Sequence, residues 1–444
     1  MSDAHEIFHI VEAEARVHGV RDVEVTISES TEALTRFANN VIHQNVAERS
    51  TEISVRPQEN QRTARAETNR VDEDAIRHAV REAIVLMRAQ EADERMLPLA
   101  EPEALSHPSR LFEATAACTP AERAVAVAEA IRIAESEGQT AAGIYSTASA
   151  REMILNSRGV YAAFDQSMAV ISVTMLETGS SGWAKASSVD RAAIDVAALA
   201  HQASRKAVRS REPRELPPGR YTVILEPAAV LDLVGQMFGD FGGTALEDQR
   251  SFLNDRVGTK LFGDNITIHD DCLHPLQSGP AFDGEGIARR GLALVERGVV
   301  RELAYSRGAA QRAGTHPTGH GFPLPNDVGE FPVNIVMTGG AASLDEMIRS
   351  TPRGVLVTRL WYIREVDPYE KMMTGMTRDG TFLIEGGEVV GGVRNFRFNQ
   401  GLIELLNNVE MLGPAVRASG EETFDMVVPA LKAHEFHFTE VTRF

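Results

Sequence analysis

FDGEGIARRGLALVERGVVRELAYSRGAAQRAG, residues 282–314, is the stretch of this chain with the most specific pattern. Glycines separate its short apolar runs, and this pattern is typical of short strands joined by turns. Asp283 and Glu285 stand in its first turn, where two carboxylates suit either an acid–base pair or the capping of backbone N–H groups. We interpret them as turn residues, because the neighbouring glycines supply the positive φ that such a turn needs.

Strand-like runs of the same kind fill the rest of the second half of the chain. FLIEGGEVV, with Gly386 and Gly387 at its centre, predicts a β-hairpin. We therefore predict a β-rich C-terminal domain over residues 221–444. The other runs are LVERGVVREL (294–303), FPVNIVMTGG (331–340), GVLVTRLWYI (354–363), GTFLIEGGEVVGGVRNFRF (380–398) and FDMVVPALKAHEFHF (424–438).

A change from a helical to a strand-like sequence pattern marks the start of that domain. REPRELPPGR, residues 211–220, contains three prolines and separates a helical pattern from the strand-like YTVILEP. Prolines stiffen a connector and prevent a helix from continuing. We predict a linker over residues 211–220.

The first half of the chain alternates helical and strand patterns, which predicts a mixed α/β region over residues 1–210. It forms one unit or two subdomains that divide near residues 100–118. The fold class is therefore α+β. Predicted helices cover residues 4–19, 72–90, 120–138 and 190–210, and predicted strands cover 23–30, 51–57 and parts of 154–177.

Composition indicates a globular protein with an acidic surface. Apolar residues make up 43% of the chain, and 45 basic against 63 acidic residues leave a formal net charge of −18. A surface of this sign repels phosphate backbones, so nucleic-acid binding is disfavoured as the main function. We interpret the basic run at residues 205–214 as a solvated face or linker.

The two cysteines, Cys118 and Cys272, are far apart and form no CxxC pair. A disulfide framework is therefore not expected, which fits a reducing compartment. The N-terminus has no basic segment followed by an apolar run, and no stretch is long and apolar enough to span a membrane. We predict a cytoplasmic protein without membrane contact.

Three groups of residues deserve comparison with metal sites. HEIFH matches the HExxH pattern, whose spacing places His5 and His9 on one face of a helix beside a glutamate. Its apolar residues also suit a helix that packs on a core, and no third ligand with a known spacing follows.

The second group is HDDCLH, with His269, Asp271, Cys272 and His274, and the third is His316 with His320 in HPTGH. These residue types bind zinc, but the simpler interpretations are a strand end with an Asp-rich turn and a Pro-Gly loop. The two groups would form a better candidate if they met in space. We predict that this chain has no metal site of its own.

Several motifs, taken in order, resemble the TldD/PmbA family. TRFANNVIHQN with TEISV resembles the family's N-terminal strand and turn, and residues 282–314 resemble its Phe-Asp-x-Glu-Gly turn, hairpin and tyrosine-led segment. HPTGHG, GVLVTRL and MTGMTRDGTFLIEGGEVVGGVRNF resemble the blocks that follow. The resemblance covers most of the chain and runs in the family order.

This resemblance implies a pair of similar subunits, one of which holds zinc. The zinc-bearing subunit carries an HExxxH helix after the first strand of its C-terminal region, and a cysteine in a later loop completes the ligand set. The implied chemistry is metal-assisted peptide hydrolysis, in which zinc activates a water molecule and polarises the scissile carbonyl.

The chain departs from that pattern at both places. The corresponding segment, YTVILEPAAVLDLVGQMFGDF, contains no histidine, and its Glu226 stands before a proline at the strand end. The predicted later loop, residues 374–382, reads TGMTRDGTF and contains no cysteine. A catalytic zinc site needs three protein ligands, so these positions do not supply the family's site.

We therefore expect a non-catalytic partner subunit of a heterodimeric zinc metalloprotease, with zinc held by a TldD-like sister. Its substrates would be unfolded peptides, held in extended form by strand addition to a sheet edge. Two alternatives stay open: a self-sufficient metallopeptidase that uses the histidines above, and a homodimeric peptide-binding protein without hydrolysis. A role in modulating DNA gyrase, sometimes attached to the family, finds no support in the acidic charge.

Overall fold

The computed structural model describes residues 3–105 and 108–442 of the chain. It contains two β-sheets with associated helices, a mixed α/β region first and a β-rich region second, and confirms the predicted α+β class. The domain limits at 210, 211–220 and 221, and the split near 100–118, stay predictions. Residues 1, 2, 106, 107, 443 and 444, which those ranges include, lie outside the described residues.

Within the described residues, seven antiparallel strands form the N-terminal sheet in the order β3-β2-β1-β5-β6-β7, with β4 beside β2. The strands are β1 Asp22–Ala38, β2 Val41–Glu59, β3 Arg62–Thr63, β4 Ala66–Thr68, β5 Thr140–Asn156, β6 Tyr161–Glu177 and β7 Ser180–Ser188. The helices are α1 Ala4–Val17, α2 Glu73–Ala89, α3 Glu113–Ala116, α4 Pro120–Ser136 and α5 Val196–Arg209.

The long β1–β2 hairpin turns at Asn39 and Asn40, whose φ values are 52° and 59°. Asparagine tolerates this left-handed region, and a two-residue turn with both φ values positive matches the twist of the flanking strands. The Asn40 side chain accepts a hydrogen bond from the Ala141 N–H at 2.6 Å and donates one to the Gln139 carbonyl at 3.0 Å. This turn therefore also ties the hairpin to β5.

Helices cover one face of this sheet. Along β1, the buried Val23, Val25 and Ile27 pack with α1 and α2, and Phe37, on the same face, packs with α4 and α5. Side-chain caps explain where these helices begin, because each cap satisfies a backbone N–H that has no partner within the helix. The caps are Asp3, Asp72, Thr119 and Asp195, and Thr119 forms a full capping box with Glu122.

The part of the chain that the structure describes also forms an eleven-stranded C-terminal sheet. Its strands are β8 Gly219–Leu225, β9 Ile268–Asp270, β10 Leu292–Glu296, β11 Val299–Val300, β12 Ile335–Met337, β13 Arg353–Asp367, β14 Met372–Glu385, β15 Glu388–Gly392, β16 Phe396–Gly401, β17 Val409–Ala418 and β18 Met426–Val441. The helices are α6 Pro227–Val234, α7 Gly243–Glu247, α8 Arg307–Ala313, α9 Leu344–Arg349 and α10 Leu402–Asn407.

Five of these strands close into a barrel, because β18 pairs with β16 at one end of the order β16-β14-β13-β8 and with β8 at the other. Phe396, Phe398, Phe436 and Phe438 are fully buried, and the rings of Phe396 and Phe438 stack 4.5 Å apart. The predicted hairpin at Gly386 and Gly387 is confirmed, since Glu385 pairs with Glu388 across them.

Some predicted elements need correction. The run at 190–210 is not one helix: a short 3-10 turn at Arg191–Ala193 precedes α5, because Asp190 and Asp195 each cap a separate start. Strand β7 was not predicted, and β5 begins fourteen residues before the predicted strand. Their small residues, Ala, Ser, Gly and Thr, carry little apolar alternation, and pairing with neighbouring strands organises them.

The Phe282–Gly286 turn joins the two regions. Phe282 and Ile287 pack into an apolar cluster with Ile154 and Phe164 of the N-terminal sheet. Beside this cluster the buried Glu24 carboxylate accepts hydrogen bonds from Arg56 at 2.7 and 2.9 Å and from Arg65 at 2.6 Å. Arg65 also donates to the backbone carbonyl of Leu324, so this ion cluster links the sheet to the C-terminal region.

Among the described helices, none combines the length and the apolar composition needed to cross a membrane.

Candidate functional site

A cleft of ≈ 640 Å³ lies where β7 of the N-terminal sheet meets β14 of the C-terminal barrel. Ser180 and Ser181 at the start of β7 line one side, and residues 376–381 of β14 line another. Arg394, Asn395 and Thr442 also contribute to the lining.

The β14 wall corrects one prediction. Residues 374–382 are not a loop but part of β14, interrupted by a bulge in which Asp379 and Gly380 stand opposite Thr358 alone. The φ values of Asp379 and Gly380 are 51° and 137°. Asp-Gly is a strong turn signal, which is why the sequence favours a loop here. A Cβ atom on Gly380 would lie 2.4 Å from Thr358 Oγ1, so this position needs glycine.

Asp379 organises the polar groups at the bulge. The Arg359 guanidinium donates to its Oδ2 through both Nε, at 3.0 Å, and Nη2, and Ser181 donates to its Oδ1 at 2.6 Å. The Arg359 and Asp379 side chains are only 8% and 12% exposed. The bulge is thus tied both to β13 and to the N-terminal sheet.

Both tryptophans of the chain lie at this place. The Arg359 guanidinium carbon is 4.8 Å from the ring centre of Trp183 and 5.5 Å from that of Trp361. Arg378 covers Trp361 at 4.9 Å. Such cation–π contacts hold the arginine side chains in defined positions beside the cleft.

The two segments that carry zinc ligands in the family pattern come together here. Val357 of β13 pairs with Leu225 of β8 on one side and with Thr381 of β14 on the other. The start of α6, which follows β8, and the bulge in β14 are therefore separated by one strand, or roughly 10 Å.

Ion pairs fill the space between those segments. The Lys206 ammonium donates to Glu226 Oε2 at 2.6 Å and to the Trp183 carbonyl at 3.4 Å, and Thr358 Oγ1 lies 3.5 Å from Glu226 Oε1. Lys206 and Glu226 are each 8% exposed. Two side-chain cations, Lys206 and Arg359, thus occupy the neighbourhood, and zinc prefers thiolate, imidazole and carboxylate donors. This set of side chains does not fit the zinc site that the resemblance implies.

Asp232 is the acidic residue inside α6, and its carboxylate is fully buried. It accepts hydrogen bonds from the backbone N–H groups of Glu421 and Glu422 at 3.1 and 2.9 Å. Burial raises the pKa of Asp232 to about 6 in spite of these hydrogen bonds. A Cβ atom on Gly420 would lie 2.1 Å from Asp232 Oδ1, so the carboxylate serves to hold the 420–422 segment against α6.

The first metal candidate, His5 with His9, stands on α1 as the spacing predicts. Both side chains are exposed, and the His5 ring contacts Tyr161 with ring centres 4.7 Å apart. They lie beside a shallow depression with Glu6, Glu73 and other residues of α1 and α2. Across residues 3–105 and 108–442, no three His, Cys, Asp or Glu side chains are grouped as a metal site requires.

The other two candidate groups meet only in part. The buried His320 places Nε2 3.2 Å from Asp270 Oδ1 and Nδ1 2.9 Å from Thr318 Oγ1. Asp270 Oδ2 also accepts backbone hydrogen bonds from Val333 and Asn334, which indicates a structural role.

The remaining candidates are dispersed. Cys272 is buried, and its thiol pKa is raised by burial. His269 is half-buried on β9, its side chain alternating with that of Asp270, and His316 is exposed. These side chains do not assemble a ligand set with His320 and Asp270.

The interpretation of Asp283 and Glu285 as turn residues is confirmed by their hydrogen bonds. Asp283 Oδ1 accepts from the N–H groups of Glu285 and Ile287 at 2.9 and 3.0 Å, and Oδ2 accepts from Gly321 at 2.8 Å. Glu285 accepts from the Arg307 N–H at 3.0 Å, and Gly286 has a φ of 81°. Burial, followed by repulsion from Asp283, raises the pKa of Glu285 to about 7.

Sequence reasoning missed Lys206, Arg359, Trp183 and Asp379 as members of one site. The only local signal was the Asp-Gly pair, which marks an irregular backbone without naming its partners. The partners are distant in the chain, so their meeting follows from how α5 and β7 pack against β14 and from the pairing of β14 with β13.

Two family models match the chain. The model described as the PmbA/TldA metallopeptidase C-terminal domain matches residues 218–440, and the model described as PmbA/TldA metallopeptidase domain 1 matches residues 23–86. The first of these covers half of the chain.

Curated relatives agree with this match. The chain is 27% identical to a metalloprotease of Methanothermobacter thermautotrophicus over 50% of its own length and 49% of that protein. It is 24% identical to the metalloprotease TldD homolog of Buchnera aphidicola over 48% of its own length and 44% of that protein. The chain spans about half the length of these curated relatives.

Solved structures share the fold over nearly the whole chain. TldE from Thermococcus kodakarensis has a TM-score of 0.87 with 21% identity, over 98% of this chain and 99% of that one. A protein described as a modulator of DNA gyrase from Thermotoga maritima has a TM-score of 0.86 with 18% identity, over 98% and 100%.

Proposed function

The chain belongs to the PmbA/TldD metallopeptidase family, and from this premise we propose that it is the subunit without a zinc site in a two-subunit peptidase. A TldD-like sister subunit would hold the zinc. Unfolded peptides would be the substrates, and neither nucleic acid nor membrane would be a partner. The complex would act in the cytoplasm.

One observation carries this proposal. The two segments that bear ligands in the zinc-bearing pattern lie one strand apart, yet their carboxylates, Glu226 and Asp379, are paired with Lys206 of α5 and Arg359 of β13. Both carboxylates are therefore engaged by side-chain cations, and neither arginine nor protonated lysine has a lone pair to donate to a metal. The fold is kept while the ligand set is replaced, which fits a sister subunit that no longer hydrolyses peptides itself.

The cleft beside β14 gives this subunit a task in peptide handling. An extended peptide presents its backbone groups to a sheet, and pockets beside the sheet select its side chains. On the side of β14 that faces β15 and β16, the ladder is interrupted between Met376, which pairs with β16, and Phe382, which pairs with β15, and there the Thr381 carbonyl accepts a hydrogen bond from the Val393 N–H. Zinc in the sister would activate the water for hydrolysis, and this chain would bind and orient the peptide.

The test is a peptidase assay on an unfolded peptide with this chain alone, a zinc-bearing family member from the same genome alone, and their mixture. We expect hydrolysis in the mixture at a rate that exceeds the sum of the separate rates. A mixture with a sister whose motif glutamate is replaced by glutamine serves as the control and should be inactive.

Zinc content of the purified, tag-free chain provides the second readout. Well under one equivalent per chain is the expected result. About one equivalent of zinc, together with hydrolysis by the chain alone, would overturn the proposal in favour of a self-sufficient metallopeptidase that uses His5, His9, His269, Cys272, His316 or His320. Peptide binding without hydrolysis in any mixture would instead support a homodimeric binding protein.

A further inference from the structure

We propose that the cleft beside β14 binds a carboxylate of a peptide, through the guanidinium groups of Arg378 and Arg394 and the side-chain amide of Asn395. This inference rests on the proposed function, since it specifies how the subunit would hold a peptide. It names a ligand group, a carboxylate, and the residues that would bind it.

The charge of the cleft is the first observation. Arg378 and Arg394 line the cleft and are 47% and 51% exposed. Arg394 Nε lies 4.0 Å from Glu215, a side chain that is itself 71% exposed, so this pair is weak. Arg378 Nε lies 3.5 Å from Asp379 Oδ2.

The acidic residues of the lining are already neutralised by other cations. Asp379 is engaged by Arg359 through two donors, and Glu177 accepts a hydrogen bond from Arg211. The positive charges of Arg378 and Arg394 are therefore not balanced by an acidic residue of the lining, although the chain as a whole has a formal net charge of −18. A local excess of positive charge on an acidic protein attracts an anionic group to this place.

Hydrogen-bond geometry orients a neutral donor in the same lining. Thr377 Oγ1 accepts from the Phe396 N–H at 3.0 Å, so its own proton is directed to Asn395 Oδ1 at 3.3 Å. Thr381 Oγ1 approaches the same oxygen at 3.0 Å. With Oδ1 held as the acceptor, the amide N–H groups of the half-buried Asn395 remain as donors. Two guanidinium groups and an amide are the donor types that suit a carboxylate.

The shape of the site fits a chain end or an extended side chain. The cleft measures ≈ 640 Å³, within the range of small-molecule sites, and it lies where the pairing of β14 passes from β16 to β15. Ser180 and Ser210 line the same cleft, and each has a buried hydroxyl without a hydrogen-bond partner among the described residues. Because both oxygens are shielded from solvent, a ligand gains hydrogen bonds from them only when the serine side chains reorient toward the cleft.

The tryptophan residues of the chain can report ligand binding at this site by their fluorescence. The only two tryptophans of the chain are Trp183 and Trp361. Arg378 lies over Trp361 at 4.9 Å, so a ligand that draws Arg378 toward a carboxylate changes the environment of that ring. Tryptophan fluorescence therefore reports binding at the cleft, and a Trp361→Phe variant should lose most of the signal.

The experiment measures binding of short labelled peptides to the full chain by fluorescence anisotropy, without a sister subunit and without zinc. The probes are a neutral peptide with a free C-terminal carboxylate, the same peptide amidated, and an amidated peptide with one internal glutamate. Inorganic phosphate serves as a competitor. We expect the free acid to bind at least about tenfold more tightly than the amide, because a charge-assisted hydrogen bond to a carboxylate is lost in the amide.

Variants locate the binding. Arg378→Gln and Arg394→Gln should each reduce the affinity for the free acid at least about tenfold and leave the amide unaffected, and Arg378→Lys should retain part of the affinity. Arg49→Gln, an exposed arginine on β2, is the matched control and should behave as the parent chain. Circular dichroism confirms that each variant is folded.

The outcomes separate clearly. Preference for the free acid assigns the site to a chain terminus, and equal binding of the internal glutamate peptide assigns it to an acidic side chain; both support the proposal. Equal binding of acid and amide, no binding, displacement by phosphate as effective as by peptide, or full affinity in both glutamine variants would each overturn it. The binding assay contains neither zinc nor the sister subunit. Its result can therefore be interpreted even when the two-subunit proposal fails.

Discussion

Glu285 is a carboxylate that the fold holds where its charge is costly. It lies in the Phe282–Gly286 turn beside Asp283, with Arg307 and, further off, Arg56 as the facing cations. Burial and the neighbouring Asp283 raise its pKa from an ordinary 4.5 to about 7, so the folded protein retains a proton that the unfolded chain has released. Its contribution to stability is fully present below pH 4.5 and is lost as the pH rises through about 7.

The Glu285→Gln variant tests whether the raised pKa of Glu285 makes stability depend on pH. We expect the parent chain to lose on the order of 1 kcal/mol of unfolding free energy from this group between pH 6 and pH 8, and the variant to lose less. Urea denaturation at both pH values measures the difference. Glu388→Gln, at an exposed position on β15, is the control, and a pH dependence equal in all three proteins would contradict the assignment.

At the scale of elements, α5 packs unusually close to β7. A Cβ atom on Gly182 would lie 2.1 Å from the Ala203 carbonyl oxygen and 2.3 Å from the Ala207 nitrogen, both backbone atoms of the helix. Backbone atoms do not move aside as a flexible side chain does, so a methyl group here forces the helix away from the strand. The small residue sets the distance that lets Lys206 reach Glu226.

Gly182→Ala should therefore lower the unfolding free energy by about 1–3 kcal/mol, as overpacking of a well-packed site does. Gly239→Ala is the matched substitution, since a Cβ atom there meets nothing within 4 Å, and it should change stability by less than about 0.5 kcal/mol. Thermal denaturation of both variants gives the comparison. Similar midpoints for the two would show that α5 adjusts freely and that the close approach carries no cost.

At the scale of the whole molecule, buried ion pairs join the two regions. Lys206 stands on α5 of the N-terminal region and Glu226 begins α6 of the C-terminal region, and their charged atoms lie 2.6 Å apart. Glu24, Arg56 and Arg65 form a second buried cluster, which reaches Leu324. Neither place tolerates the loss of one partner, because a lone buried charge has no water to solvate it.

Lys206→Met should cost about 3–5 kcal/mol, since it leaves the Glu226 carboxylate buried without its cation. The double variant Lys206→Met with Glu226→Gln should recover most of that loss, because the unpaired charge is removed. Chemical denaturation of the parent, the two single variants and the double variant completes the cycle. A Lys206→Met protein as stable as the parent would show that the pair is not buried in solution.

Short-range chemistry let the sequence by itself determine the class of the fold and many of its elements. The pair Gly386-Gly387 predicted a hairpin from its neighbours alone, and the Thr119–Glu122 capping box and the Asn39-Asn40 hairpin, which the structure adds, are equally local. The family order of motifs, and the absence of zinc-ligand residue types at the two segments that carry them in the family pattern, are also properties of the sequence alone.

The candidate site, in contrast, exists only in the folded chain. The tertiary structure turned the predicted loop at 374–382 into a bulged strand, joined Arg359 to Asp379 and Lys206 to Glu226, and kept the candidate histidines apart except for the contact of His320 with Asp270. These contacts join residues that no local pattern relates. They depend on strand register and on the distance at which a helix meets a sheet, and both are set by packing across the whole molecule.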